Sequence, residues 1–141
     1  KELPNTWNKE IKSLNNKAKV SIRVNTLKIN RDKLQEILLK RYSIETEKVL
    51  KYPEALILIK KKNILKNTLY NKGYFEVQDA NSQLIAPYSL CEPKMNVIDA
   101  CAGAGGKSLH LSTIMKNQGN IIAMDINPSK LIELKKKNDK K

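Results

Sequence analysis

Apolar residues along the chain follow two rhythms, and the changes between them mark out the elements. Trp7, Ile11 and Leu14 recur at i, i+4 and i+7. That spacing predicts a short amphipathic helix within 1–19, with Trp7 as a packing anchor and Asn15 and Asn16 near its end. Over 20–27 the period falls to two: Val20, Ile22 and Val24 lie on one side, Ser21, Arg23 and Asn25 on the other. This predicts a strand. Ile29-Asn30 then caps a helix from Arg31 to about Tyr42, with Leu34, Ile37, Leu38 and Tyr42 inward. Residues 44–50 and 55–61 read as strands around a turn at Pro53. Residues 64–70 fit neither rhythm, Asn71-Lys72-Gly73 is a turn, and 74–78 is a further strand. Asp79 caps a helix from Ala80 to about Ala86, with Leu84 and Ile85 inward, which Pro87 kinks or ends.

The run MNVIDACAGAGGKSLHLSTIM, residues 95–115, reads as strand, glycine loop and helix. Val97 and Ile98 form an apolar strand that Asp99 ends. Gly103, Gly105 and Gly106 allow turns that a Cβ would hinder. Lys107 and Ser108 open a helix whose apolar positions are Leu111, Ile114 and Met115. Its N-terminus aims free N–H groups and a partial positive charge into the loop, which suits a nucleotide-like ligand. A phosphate loop needs a glycine five places before Gly-Lys-Ser, and Cys101 stands there. The dinucleotide pattern fits Gly103 and Gly105 but has Ser108 at its third place. S-adenosylmethionine, which has no phosphate, asks only that backbone approach its methionine and ribose portions.

Gly119 ends the helix, and 121–125 reads as a second buried strand closed by an acid. Asp125 lies 19 residues beyond Gly106, the place of a ribose-binding carboxylate. Asp125 could instead cap the next helix, but Asn127 followed by Pro128 fills that position better.

The formal net charge of +13 favours a polyanionic partner, although lysine is abundant throughout. Cys91 and Cys101 are too few for a disulfide framework and read as reduced thiols, Cys101 packed and unreactive. His110 reads as a surface or packing residue, and no metal site is expected. No signal peptide or apolar run of membrane-spanning length is present in the sequence, so a cytoplasmic protein is expected. The chain begins at Lys1 and ends in KKKNDKK just after a second strand–helix unit has begun, which suggests a fragment.

DACAGAGGKS followed by AMDINPSKL resembles motifs I and II of the Sun-type RNA (cytosine-5) methyltransferases. FEVQDANSQL is similar to the segment leading into their catalytic domain, and SIRVNTLK to their R-V-N-T strand. Ala104 departs from a frequent proline. The resemblance implies an α/β protein in two parts: an RNA-binding-like α+β unit at 1–73, similar to an RNA-recognition fold, and at 74–141 the start of a Rossmann-like S-adenosylmethionine-dependent methyltransferase domain. It implies that Cys101, Ala102, Gly103, Ala104, Gly105, Gly106 and Lys107 line the cofactor, and that Asp125 holds its ribose. Gln78, Asp79 and Ser82 would border the pocket. Lys107 reaches cofactor or substrate, or is a solvated helix-start lysine. The implied activity is cytosine-C5 methylation of RNA, ribosomal RNA first, by a monomer. The nucleophilic cysteine is expected beyond Lys141, so residues 1–141 alone would be inactive. Arg23, Lys33 and Arg41, with Arg31 and Lys40, are candidates for phosphate contacts. A phosphate-loop nucleotidase and a non-catalytic RNA-binding module stand as the alternatives.

Overall fold

In the computed structural model, residues 6–16 and 18–140 are described. The rest of the expected leading helix, 1–5 and 17, lies outside them. The helix that does form there is α1 (Trp7–Leu14). Its stripe is not buried: Trp7 is 56% exposed and Leu14 84%. The anchoring role expected of Trp7 is therefore absent, because nothing in the described residues covers that side of the helix.

The chain assembles around β1 (Ser21–Val24), whose four residues are all buried. It lies between β3 (Tyr52–Leu58) and β4 (Phe75–Val77), antiparallel to both, and β2 (Thr46–Val49) closes the far edge of β3. The sheet order is β2-β3-β1-β4. Facing pairs Ile22–Leu56 and Val24–Phe75 make one face apolar. Across it packs α2 (Arg31–Tyr42), with Leu34 and Leu38 fully buried. Asn30 caps α2 by accepting the Lys33 N–H at 2.8 Å. A 3₁₀ turn (Ile64–Lys66) and the one-turn α3 (Thr68–Asn71) stand where a second full helix would complete a ferredoxin-like unit. That short element is why 64–70 shows no rhythm.

Two local expectations change. Pro53 sits inside β3 rather than in a turn. Lys48 pairs with Leu56 but Val49 with Tyr52, so the register jumps there and Pro53 falls where no ladder donor is needed. The chain after Asp79 begins as a 3₁₀ turn (Asn81–Leu84) and only then becomes α4 (Ile85–Tyr88). With three residues per turn at the start, Gln83 and Ala86 point inward in place of Leu84 and Ile85. Pro87 lies in the first turn of α4, where its missing N–H is not required.

The second sheet has two parallel strands, β5 (Asn96–Asp99) and β6 (Asn120–Ala123). One face packs Val97 and Ile121 against Leu111 and Ile114 of α5 (Gly106–Ile114) and against Met115, which caps its end. The other is bare: Ile98 is 65% exposed and Ile122 58%. The strands expected to be buried are therefore half-buried. Asn127 caps α6 (Pro128–Asn138), with Pro128 at its first position, as the sequence indicates. β4 pairs with β1 and so extends the first sheet past residue 73.

Ser108, Leu109, His110, Leu111 and Thr113 of α5 are all buried. The helix lies between its own sheet and the far face of the four-stranded sheet. A helix enclosed on two sides loses the single-stripe signature, so only its Leu111–Met115 side was readable.

Candidate functional site

The loop between β5 and α5 is braced by the acids that end or follow the two strands. Asp99 accepts the Ser108 Oγ–H at 2.7 Å, and the Cys101 N–H lies 3.4 Å from its other oxygen. Asp125 accepts the Gly103 N–H at 2.8 Å through one oxygen and the Asn127 N–H at 2.8 Å through the other. These donors, Asn127 first and Gly103 second, hold the Asp125 carboxyl below its ordinary value. Ala102 N–H donates to Met124 O at 2.9 Å, tying the loop to the chain beyond β6.

Gly103 and Gly105 have φ of +53° and +86°, the left-handed region. At Gly105 a Cβ would also lie 2.6 Å from Leu134 Cγ. Gly106 differs from expectation: its backbone is helical and the nearest atom to a Cβ, on Gln78, is 3.9 Å away. In front of Gly103 there is open space. The loop can therefore admit a ligand to within backbone contact, and each Asp125 oxygen keeps a second lone pair for a hydroxyl donor. Those features fit a nucleoside-bearing ligand without phosphates. The Ser108 hydroxyl, which a phosphate loop would direct at a magnesium ion, is engaged by Asp99. Asn127, not Asp125, is the cap of α6.

Cys101 through Lys107 and Asp125 are thus brought to one end of the two-stranded sheet. Ala102 is buried, Ala104 half-buried and Lys107 exposed. Cys101 is also exposed, contrary to the packed thiol expected, because it begins the open side of the loop; Cys91 is the buried one.

The candidate phosphate contacts separate. Lys33 and Arg41 line one cleft of about 500 Å³ beside α2, together with Lys28, Lys72, Tyr42 and Tyr74. Arg31 Nη1 donates to Tyr52 O and Lys40 pairs with Glu36 along α2. Arg23 must be withdrawn as a surface contact. It is 3% exposed, on the sheet face opposite Ile22 and Val24, which α5 covers. An RNA-recognition fold presents that sheet face to bases. Here it carries Arg23 and Glu76 and is occupied by the second unit.

Some residues of this region carry more than the sequence shows. Asp99 reads from sequence as a strand end, though an acid there is the available signal. His110, read as a surface or packing residue, is packed: it is 2% exposed, with Nε2 3.0 Å from Glu54 Oε2. Lys137 Nζ lies 3.0 Å from Glu76 Oε2. No local pattern marks these pairs, since each joins separate units. Among the described residues no group of three His, Cys, Asp or Glu side chains could hold a metal, and no helix is long and apolar enough to cross a membrane.

Two family models match the chain: the RsmF/B-like methyltransferase ferredoxin-like domain over residues 1–65, and the 16S rRNA methyltransferase RsmB/F over 89–140. The chain is 30% identical over 113 residues to the 25S rRNA (cytosine-C(5))-methyltransferase NSUN5 of Arabidopsis thaliana, covering 80% of this chain and 20% of that protein. It is 33% identical over 124 residues to the probable ribosomal RNA small subunit methyltransferase B of Bacillus subtilis, covering 86% and 27%. The crystal structure of PH0851 superposes with a TM-score of 0.91 at 29% identity, over 98% of this chain and 31% of that one. The chain spans less than a third of the length of each of these relatives.

Proposed function

This chain belongs to the RsmB/F-like, Sun-type family of RNA methyltransferases, and on that premise we propose that it supplies the RNA-contact unit and first cofactor half-site of a ribosomal RNA cytosine-C5 methyltransferase. The observation that carries this reading is the open glycine loop ahead of α5, braced by Asp99 and Asp125. S-adenosylmethionine, when bound, supplies an electrophilic methyl group. Backbone groups of Cys101, Ala102, Gly103, Ala104, Gly105 and Gly106 would line its methionine portion. Asp125 would accept from the ribose hydroxyls, and the exposed Lys107 in the first turn of α5 would meet its carboxylate.

Cytosine C5 is a weak nucleophile until a thiolate adds at C6. Cys91 is buried at 7% exposure and Cys101 is assigned to the cofactor loop, so in this reading the attacking thiolate comes from outside residues 1–141. RNA would lie along the α2 cleft, with Lys33 and Arg41 neutralising phosphates. The two parts divide near residue 73, with β4 lying across the division.

The complete protein is incubated with ribosomal RNA and methyl-labelled S-adenosylmethionine, and the modified nucleoside is identified by mass spectrometry. Label is expected on cytosine C5; label on a base nitrogen or on ribose would overturn the assignment.

A further inference from the structure

The seam between the two units holds a cluster of buried polar and charged side chains. Arg23 stands opposite Glu76 in the β1–β4 pairing, and Glu54 lies where the β2–β3 register jumps. Both acids face the guanidinium and oppose the effect of burial, which lowers Arg23 to about 10 and leaves it protonated at neutral pH. Each acid also reaches across the seam, Glu54 to His110 in α5 and Glu76 to Lys137 in α6. Arg23 makes a third crossing of a different kind. Its Nε donates to Gln78 Oε1 at 2.8 Å, and its Nη2 lies 3.4 Å from the Gly106 carbonyl. Gln78 in turn lies alongside the place a Cβ would take on Gly106, and its Nε2 donates to Ser82 O at 3.3 Å. Gly106 is the first residue of α5, the residue that ends the glycine loop.

We infer that Arg23 is a positioning residue for the cofactor: from the centre of the first sheet it fixes Gln78 and the first turn of α5, and through them the glycine loop. The inference rests on the reading of that loop as an S-adenosylmethionine site. A planar guanidinium reaches two acceptors at fixed angles, and an ammonium does not. The geometry therefore needs arginine, whereas the charge balance against Glu54 and Glu76 needs only a cation. Among the described residues the buried Nη1 group has no hydrogen-bond partner. An exposed surface residue would show neither that cost nor this reach.

The test uses S-adenosylhomocysteine titrated calorimetrically into the complete protein, with thermal unfolding measured beside it. Arg23→Lys should keep most of the melting temperature yet bind about tenfold more weakly, the scale of losing a hydrogen bond from a charged group. Gln78→Leu, which removes the other half of the bridge, should weaken binding similarly even if Arg23 variants do not fold. Lys137→Met breaks a crossing that does not touch the loop, and should lower the melting temperature while leaving affinity unchanged. If Arg23→Lys and Gln78→Leu bind like the parent, or if Lys137→Met weakens binding as much as they do, the positioning role is wrong. Failure of the parent protein itself to bind S-adenosylhomocysteine would instead overturn the cofactor reading.

Discussion

The two sheets of this molecule are covered differently. The four-stranded sheet has α2 packed on one face, while on the other Glu54, Arg23 and Glu76 meet α5 and α6. The two-stranded sheet has α5 on one face and exposed Ile98 and Ile122 on the other. The first unit therefore holds a core of its own, built on Ile22, Val24, Leu34, Leu38, Leu56 and Phe75. The second holds a small one, around Ala86, Cys91, Leu111 and Met115. The helix that carries the glycine loop packs in the second core and meets the first unit through polar contacts, His110 with Glu54 and the Gly106 carbonyl with Arg23. The loop is thus tied to a unit whose other side carries the basic cleft.

Truncating one side chain in each sheet should separate the two most strongly. Phe75→Ala should cost about 3–5 kcal/mol in denaturant unfolding, the range for emptying a packed aromatic site. Ile98→Ala in the same 141 residues should change stability by less than about 0.5 kcal/mol, as at an exposed position. Equal losses would mean that the bare face is packed after all.

Within the loop the contrast narrows to neighbouring glycines. Gly105→Ala should destabilise by about 1–2 kcal/mol, since it adds a left-handed Cβ that must also displace Leu134. Gly106→Ala should be neutral or stabilise slightly, because its backbone is helical and the space is free. A common penalty for both would contradict the φ values that separate them.

Asp125→Ala should weaken S-adenosylhomocysteine by about ten- to a hundredfold, the scale of a charge-assisted hydrogen bond. Its pH dependence has a definite sign. The folded carboxyl titrates below its ordinary value, so its contribution is complete above that value and fades as pH falls through the lowered one. Affinity should stay level through the mildly acidic range and drop only once the pH falls below the ordinary carboxylate range. A drop near neutrality would point to another group.

The smallest effect separates the basic cleft from diffuse charge. Lys33→Ala and Arg41→Ala should each flatten the salt dependence of RNA binding by about 0.7, one phosphate contact on a single strand. Lys135→Ala and Lys136→Ala at the far end of α6 should flatten it less. Equal changes would reduce the cleft to part of a general +13 attraction.

Sequence was most informative where one element answers to one neighbour. The bounds of α2, its Asn30 cap and the Asn127-Pro128 start of α6 follow from local chemistry, and the structure has them. So does the strand–loop–helix order of 95–115. It was least informative where residues face something distant. Alternation in β1 correctly put Arg23 opposite Ile22 and Val24. Only the packing of α5 on that side turns an apparent surface arginine into a buried one. Trp7 fails in the reverse sense: its helical spacing reads as an anchor, yet among the described residues it stays 56% exposed. Cys101 reads as a packed thiol from its apolar surroundings in sequence, yet the loop turns it outward.

On the reading given above, the loop before α5 takes S-adenosylmethionine and not a nucleoside triphosphate. Calorimetric titration of the complete protein with S-adenosylhomocysteine, and separately with magnesium ATP, decides between them. S-adenosylhomocysteine should bind saturably, and more weakly when Asp125 is replaced, while ATP should give no heat. Magnesium-dependent binding of ATP alone would overturn the cofactor assignment.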